Sequence, residues 1–181
     1  MRKKVAVSVA HHPASPGACY IDNTEHAEST IWSDLVEKYL RKRGIEVYRA
    51  PVGGLITKVN AINKQYCDLA IEIHFNSSAS GKASGCETLY CPGSVAGRAA
   101  ASTIQRMLVT TMGNKDRGIK EGWYRMEAGS VVDYFLRKTN CPALILEPEF
   151  IQQWGSLTDR RGSGTKVIAE AIAKVLGIEE D

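Results

Sequence analysis

The sequence lacks the features that mark several common classes of protein. Its five cysteines are odd in number and include no C-x-x-C pair, which argues against both a disulfide framework and a zinc ribbon. No apolar run approaches the length of a transmembrane helix. We therefore expect reduced, mostly buried thiols, as in a protein made in a cytosol, and no membrane span.

Strong charge of one sign is also missing. The formal net charge is only +3, and the basic residues are scattered with few aromatic residues between them. This distribution argues against nucleic-acid binding. A mildly basic surface suits an anionic polymer such as the bacterial cell wall.

Two familiar motifs are absent as well. The sequence contains no G-x-S-x-G elbow, so a serine hydrolase of that type is not indicated. The glycine-rich segment 162–166 lacks the spacing of a phosphate-binding loop and follows no strand. It is predicted to be a flexible approach to the last helix and its N-cap.

The 181 residues are enough for one domain, 1–181, with its own core. Strands and helices alternate, which predicts a doubly wound α/β fold: a mostly parallel sheet of about six strands with helices on both faces. A charged loop is predicted around 116–118. The main predicted strands are 5–9, 45–48, 68–74, 86–90 and 143–147, and the predicted helices are 31–43, 55–66, 94–112 and 165–176.

Histidines and carboxylates occur at or just after the ends of three predicted strands. His11 follows the first strand, His74 ends the third, and Glu147 ends the last. Open α/β sheets carry their chemistry at the carboxyl ends of strands, so these side chains are expected to meet. With Glu25, just before the first helix, they supply two imidazoles and a carboxylate for a metal, plus a further carboxylate. These are the residue types that form a hydrolytic zinc site.

Neighbouring residues compete for these positions. Glu25 can equally stabilise the positive end of the first helix, whereas Glu147 ends an apolar run, where a carboxylate is costly unless metal or substrate compensates it. Glu72 is expected on the same strand face as His74 and can hydrogen-bond to it. The competitors are His12 and His26 for the first imidazole, Glu28 for the carboxylate ligand and Glu149 for the further carboxylate.

Over nearly its whole length, the chain resembles the zinc-dependent N-acetylmuramoyl-L-alanine amidases of bacterial autolysins and phage endolysins. It departs from their pattern after the first histidine, where His12 and Pro13 replace two glycines, and in Pro148 after the last strand's glutamate. The matching segments are Ala-His-His-Pro at 10–13 for Gly-His-Gly-Gly, Glu-Ile-His-Phe-Asn at 72–76 for Ser-Ile-His-Ala-Asn, 85–90 for Gly-x-Glu-x-x-Tyr, 117–120 for Arg-Gly-x-Lys, and 142–150 for Pro-Ala-Val-Leu-Val-Glu-x-x-Phe.

The resemblance implies a site and a reaction. The register of its motifs selects His11 and Glu25, which with His74 would hold one Zn²⁺ per chain, and it makes Glu147 the catalytic base. The implied reaction is hydrolysis of the amide between N-acetylmuramic acid and L-alanine in peptidoglycan by zinc-activated water.

Two alternatives to this reaction stay open. One is another zinc amidohydrolase acting on a small acylated amino acid, such as an N-formylglutamate deformylase or a carboxypeptidase-like enzyme. The other is a non-catalytic cell-wall-binding module. The apolar run after residues 1–4 is too short for a signal peptide, so the protein is expected to be made in the cytoplasm and to act on the wall after release or lysis.

Overall fold

The computed structural model describes residues 2–122 and 134–178. The described residues form eight strands and five helices, in the order β1 Lys4–Val9, β2 Cys19–Tyr20, β3 Asn23–Thr24, α1 Glu25–Lys42, β4 Glu46–Arg49, α2 Leu55–Asn63, β5 Leu69–Ile73, β6 Cys86–Tyr90, α3 Val95–Met112, β7 Asp116–Glu121, α4 Tyr134–Lys138, β8 Ala143–Glu147 and α5 Trp154–Val175.

Six of these strands form one mixed sheet in the order β4-β1-β5-β8-β6-β7. Strands β4, β1, β5 and β8 are parallel, β6 runs antiparallel to β8, and β7 runs parallel to β6. The carboxyl ends of β1, β5 and β8 therefore lie together at one edge of the sheet. The predicted fold class is confirmed.

The sheet separates two apolar layers, because alternate residues of each strand face opposite sides. On one side, Val5 and Val7 belong to a core that includes Trp32 and is covered by α1, α3 and α5. On the other side, Ala6 and Ile145 pack with α2 and α4. Residues Ser8, Glu72 and Glu147 continue this second side toward the carboxyl edge.

Helix α1 begins at Glu25, six residues earlier than predicted. The Thr24 hydroxyl accepts a hydrogen bond from the Ala27 N–H, and this N-cap satisfies an amide donor that the helix start leaves free. Glu25 therefore lies in the first turn, where the helix dipole favours a negative charge. The prediction that placed it before the helix is wrong.

Helix α5 also begins earlier than predicted, and it contains the segment 162–164 for which the sequence predicts flexibility. A Cβ on Gly164 would lie 2.5 Å from Cη2 of Trp32, so glycine here allows α5 to approach α1 closely. Arg161 donates to both carboxylate oxygens of Glu28 on α1, at 3.0 and 2.8 Å. These contacts outweigh the low helix propensity of glycine, about 1 kcal/mol per residue.

Three smaller predictions are also corrected. The charged loop predicted around 116–118 is the start of β7, an edge strand, where charged residues are tolerated and oppose pairing with other chains. Helix α2 ends at Asn63 instead of residue 66, and Ile56, which the periodicity places inward, is largely exposed. Residues 123–133 lie outside the described part of the chain.

The five cysteines are free, as predicted, but the prediction that most are buried is wrong. Cys86 is buried and Cys19 is exposed, while Cys67, Cys91 and Cys141 are half-buried. Among the described helices, none has the length and apolar character needed to cross a membrane.

Candidate metal centre

His11 lies just after β1 in a left-handed backbone conformation, with φ at 59°. This conformation is uncommon outside glycine, although histidine adopts it more readily than most residues. The loop then returns past the imidazole at Gly17, where a Cβ would lie 2.6 Å from His11 Nε2 and 2.5 Å from Glu25 Oε2. The bare backbone of Gly17 therefore lets the His11 ring approach the start of α1.

Glu25 places its carboxylate between the two histidines. Its Oε2 lies 3.0 Å from His11 Nε2, and its Oε1 lies 2.9 Å from His74 Nδ1. The backbone N–H groups of Ala18 and Phe75 also donate to Oε2 and Oε1. Burial alone would raise the pKa of Glu25, but the hydrogen bonds from both histidines outweigh it and hold the pKa below its ordinary value.

His74 follows β5, and both of its ring nitrogens face carboxylates. Nδ1 faces Glu25, and Nε2 lies 3.0 Å from Oε2 of Glu72. Burial would lower the pKa of His74, but the hydrogen bonds to Glu25 and Glu72 dominate and raise it to about 10. The position predicted for Glu72, beside His74, is thus the one observed.

The three predicted ligands converge. One ligand atom from each of His11, Glu25 and His74 lies within 4.8 Å of the other two. Two imidazole nitrogens and one carboxylate oxygen form a usual ligand set for catalytic zinc, which leaves a further position open. The ionised Glu25 already has the charge state that a metal ligand needs, and metal binding would displace a proton from His74. The donors therefore fit a zinc ion.

Glu147, the last residue of β8, lies beside this cluster. Glu72 is in register with Ile145, so two residues further on His74 and Glu147 are neighbours on the same side of the sheet. The Glu147 side chain is only 1% exposed, and its Oε2 has no hydrogen-bond partner among residues 2–122 and 134–178. Burial raises the pKa of Glu147 to about 8; the charge of His74 opposes this shift, and the charges of Glu25 and Glu87 add to it.

The competing residues have other partners. Glu28 accepts hydrogen bonds from Trp32 and Arg161 in the helical layer. His26 Nδ1 lies 2.9 Å from the Ala10 carbonyl oxygen. These contacts place both residues outside the cluster of three ligands.

Glu149, the reserve candidate for Glu147, is tied to the backbone. Its Oε1 accepts from the N–H groups of Gly85 at 2.6 Å and Phe150 at 2.9 Å, and its Oε2 accepts from Asn114 Nδ2 at 3.3 Å. This bonding pattern is that of a structural carboxylate.

Sequence reasoning missed two charged residues beside the centre. Lys58 of α2 is buried and donates to Oε1 of Glu72 at 3.0 Å. Its position four residues before the buried Ile62 puts it on the inward face of α2, and that spacing was the available signal. Glu87 of β6 is in register with Glu147. It belongs to the Gly-x-Glu-x-x-Tyr segment but had no assigned role.

Glu87 is itself held by two cations from the edge strand β7. Arg117 Nε and Lys120 Nζ donate to its Oε2 at 2.7 and 2.6 Å. Burial would raise the pKa of Glu87, but its hydrogen bonds, including those from these two cations, keep the pKa below its ordinary value. A fixed negative charge therefore faces Glu147 from β6.

A cleft of about 440 Å³ opens over the centre. Its lining includes the imidazoles of His11 and His74 and the loop before α2. The lining residues are His11, His12, Ser15, Gly53, Gly54, Leu55, Lys58, Glu72, His74 and Ile145. His12 is thus at the cleft, although it is not one of the three clustered ligands. The cleft gives a substrate access to the predicted ligands.

The sequence matches a family model over almost its entire length. Residues 5–177 match the model for N-acetylmuramoyl-L-alanine amidase. The chain belongs to this amidase family. The family resemblance that the motifs indicate is therefore confirmed, and the four predicted site residues all lie within the matched segment.

Solved amidase structures share the fold. The catalytic domain of CwlV, an N-acetylmuramoyl-L-alanine amidase from Bacillus (Paenibacillus) polymyxa var. colistinus, is 24% identical, with a TM-score of 0.84 over 98% of this chain and 99% of that one. An amidase from Clostridium difficile 630 is 20% identical, with a TM-score of 0.86 over 99% of each chain.

An endolysin domain is similar as well. The catalytic domain of CD27L, an endolysin targeting Clostridia difficile, is 24% identical, with a TM-score of 0.74 over 99% of this chain and 100% of that one. At these identities the likeness establishes the fold. No curated relative matches the chain.

Proposed function

We propose that this amidase is zinc-dependent and hydrolyses the amide that joins the lactyl group of N-acetylmuramic acid to L-alanine in peptidoglycan. The observation that carries the proposal is the convergence of His11, Glu25 and His74 within 4.8 Å, next to the buried carboxylate of Glu147. Family membership supports the bond that is cut, and the geometry supports the means of cutting it.

His11, Glu25 and His74 would hold the metal. The His11 Nε2 and His74 Nδ1 atoms both face the Glu25 carboxylate, so these two nitrogens and that carboxylate are the donors. When bound, zinc supplies Lewis acidity that polarises a carbonyl and acidifies a water molecule. The hydrogen bond from His74 to Glu72 keeps a proton on Nε2 and directs the Nδ1 lone pair toward the centre.

Glu147 would move the proton. Its Oε2, which has no partner within the described ranges, would accept a proton from the attacking water and then donate it to the leaving nitrogen of L-alanine. A carboxyl group whose pKa lies near the working pH can both accept a proton from water and release it to the leaving amine. The expectation that the protein reaches the wall after release or lysis stays a prediction.

The test is product identification on peptidoglycan. Purified protein, zinc-loaded or treated with a chelator, is incubated with sacculi, and the new termini are identified by mass spectrometry. We expect new L-alanine amino termini with no new reducing sugar ends, only in the zinc-loaded sample. The His74→Ala variant should lose both bound zinc and hydrolysis.

Three results would overturn the proposal. New reducing ends would indicate a glycosidase, and unchanged activity after complete zinc removal would exclude the metal centre. Turnover of small acylated amino acids without any release from sacculi would favour the small-substrate amidohydrolase.

A further inference from the structure

A buried ammonium group lies beneath the candidate metal centre. Lys58 enters from α2, and its side chain is only 4% exposed. Its Nζ donates to the carbonyl oxygen of Val9 and to Oε1 of Glu72. A lysine is rarely buried to this degree unless it is paired, so its partners show what it does.

The partner carboxylate is fixed at both oxygens. Oε1 of Glu72 accepts from Ser8 Oγ at 2.8 Å and from Lys58 Nζ at 3.0 Å. Oε2 lies 3.0 Å from Nε2 of His74. With Lys58 and Ser8 bound to Oε1, it is Oε2 that faces the His74 ring.

Lys58 also connects the two strands that carry the imidazoles. Val9 ends β1, two residues before His11, and Glu72 lies on β5, two residues before His74. These strands are neighbours in the sheet, with Ser8 in register with Glu72. A single cation thus contacts both segments just before each delivers its histidine.

A gain in stability does not explain such an arrangement. A buried ion pair often contributes no more to folding than apolar residues of similar volume, because desolvation of the two charges offsets their attraction. Groups hydrogen-bonded to a metal-ligating histidine, in contrast, set the orientation of its ring and its affinity for metal.

We propose that Lys58 is a positioning residue of the metal centre, acting through Glu72 to hold His74 in the orientation that binds zinc. This inference rests on the proposed function, since it assumes a zinc ion at His11, Glu25 and His74. It adds a residue outside the ligand set and predicts that a change on α2 alters metal affinity.

The experiment is a double-mutant cycle read out as zinc affinity. The dissociation constant for zinc is measured by competition with a chromophoric chelator for wild type, Lys58→Met, Glu72→Gln and the double variant. Thermal unfolding of the chelator-treated proteins confirms that each is folded. Lys64→Met, which removes an exposed lysine just after α2, is the matched control.

We expect Lys58→Met to weaken zinc binding by about 10- to 100-fold, the usual range for residues that support a ligand. In the Glu72→Gln background the same substitution should change affinity by less than about threefold, because Lys58 acts through that carboxylate. Lys64→Met should bind zinc as tightly as wild type. If Lys58→Met does not fold, Lys58→Gln, which keeps a donor without the charge, replaces it; the expected loss of zinc affinity is then smaller, and it should again disappear in the Glu72→Gln background.

The outcomes separate the two proposals. Tight wild-type binding that is unchanged in a folded Lys58 variant would overturn this inference alone. An equal loss in the wild-type and Glu72→Gln backgrounds would also overturn it, because Lys58 would then not act through Glu72. Wild-type protein that binds no zinc would overturn the metal centre and this inference together.

Discussion

Strands β5 and β8 are neighbours that end at the same edge of the sheet, but the polar residues at their ends differ in hydrogen bonding. At the end of β5, both ring nitrogens of His74 and both oxygens of Glu72 have hydrogen-bond partners. At the end of β8, Glu147 is equally buried, yet its Oε2 has no partner in the described part of the chain.

This difference distinguishes the residues that would hold a metal from the residue that would transfer a proton. A buried polar atom without a partner costs about 1–3 kcal/mol, and folded proteins retain few of them. Saturation at β5 fixes the direction of an imidazole, which a metal ligand requires. The Glu147 oxygen that has no partner in residues 2–122 and 134–178 is available for a transferable proton. Glu149, two residues further on, shows that β8 can also be followed by a fully bonded carboxylate.

The largest expected effect comes from removing the basic carboxylate at the end of β8. Glu147→Gln keeps the size of the side chain but removes its basicity, so hydrolysis of peptidoglycan should fall by about 10²- to 10⁴-fold. Zinc should still bind stoichiometrically, because Glu147 is outside the ligand set. The measurement is the initial rate of amide cleavage together with metal content.

Glu28→Gln is the control for this variant, because Glu28 is a buried carboxylate paired with Arg161 away from the centre. Its rate per folded molecule should match the wild type. Near-normal hydrolysis by Glu147→Gln would remove Glu147 as the base, and loss of zinc would place Glu147 among the ligands.

The next effect concerns stability without metal. Because burial raises the pKa of Glu147 from 4.5 to about 8, the folded protein holds a proton there that the unfolded chain releases above pH 4.5. The contribution of Glu147 to stability therefore falls as the pH rises from 4.5 to 8. The loss is of order 5 kcal/mol at most, at about 1.4 kcal/mol per pKa unit.

The Glu147→Gln variant isolates the contribution of Glu147. In chelator-treated protein it should unfold at nearly the wild-type temperature at pH 4.5 and increasingly above it as the pH approaches 8. The measurement is a thermal melt at each pH. Parallel curves for variant and wild type would show that Glu147 ionises normally despite its burial.

Much of this comparison is predictable from strand ends. His11, His74 and Glu147 each follow or end an apolar run, and parallel topology brings such ends together, so their proximity follows from the sequence pattern. The family motifs then distinguish Glu25 from Glu28. The proximity of the strand ends and the choice of Glu25 both depend on short sequence segments. Errors of a few residues in the element boundaries therefore do not affect them.

The parts that sequence did not predict depend on contacts between distant segments. Gly164 of α5 packs against Trp32 of α1, a contact between distant segments that no local propensity reveals. In the sequence, Lys58 is one polar residue of an amphipathic helix. Its pairing with the buried Glu72 is seen only in the structure. The lack of a partner for Glu147 Oε2 among the described residues is likewise a property of the three-dimensional surroundings.

A smaller effect tests how the ligand side is assembled. Gly17→Ala would place a Cβ 2.5 Å from Glu25 Oε2 and 2.6 Å from His11 Nε2. We expect zinc affinity to fall about tenfold or more, since displaced ligands bind metal less well. Gly81→Ala is the matched control, because Gly81 also has a positive φ but a Cβ there would have no neighbour within 4 Å. Equal zinc affinity in the two variants would show that the close contact at Gly17 is unimportant.

The smallest effect tests the claim that Glu149 is structural. In Glu149→Gln the amide oxygen can replace Oε1 and keep the bonds from the Gly85 and Phe150 N–H groups. The amide nitrogen then replaces Oε2 and faces the Asn114 Nδ2 donor, so that one hydrogen bond is lost. Losing one such bond should lower the free energy of unfolding by about 1 kcal/mol, measured by denaturant titration. Zinc affinity and hydrolysis per folded molecule should stay within about twofold of wild type, because no bond of Glu149 reaches the ligands. A tenfold loss of hydrolysis in folded, zinc-bound Glu149→Gln would instead give Glu149 a part in the reaction and weaken the contrast with Glu147.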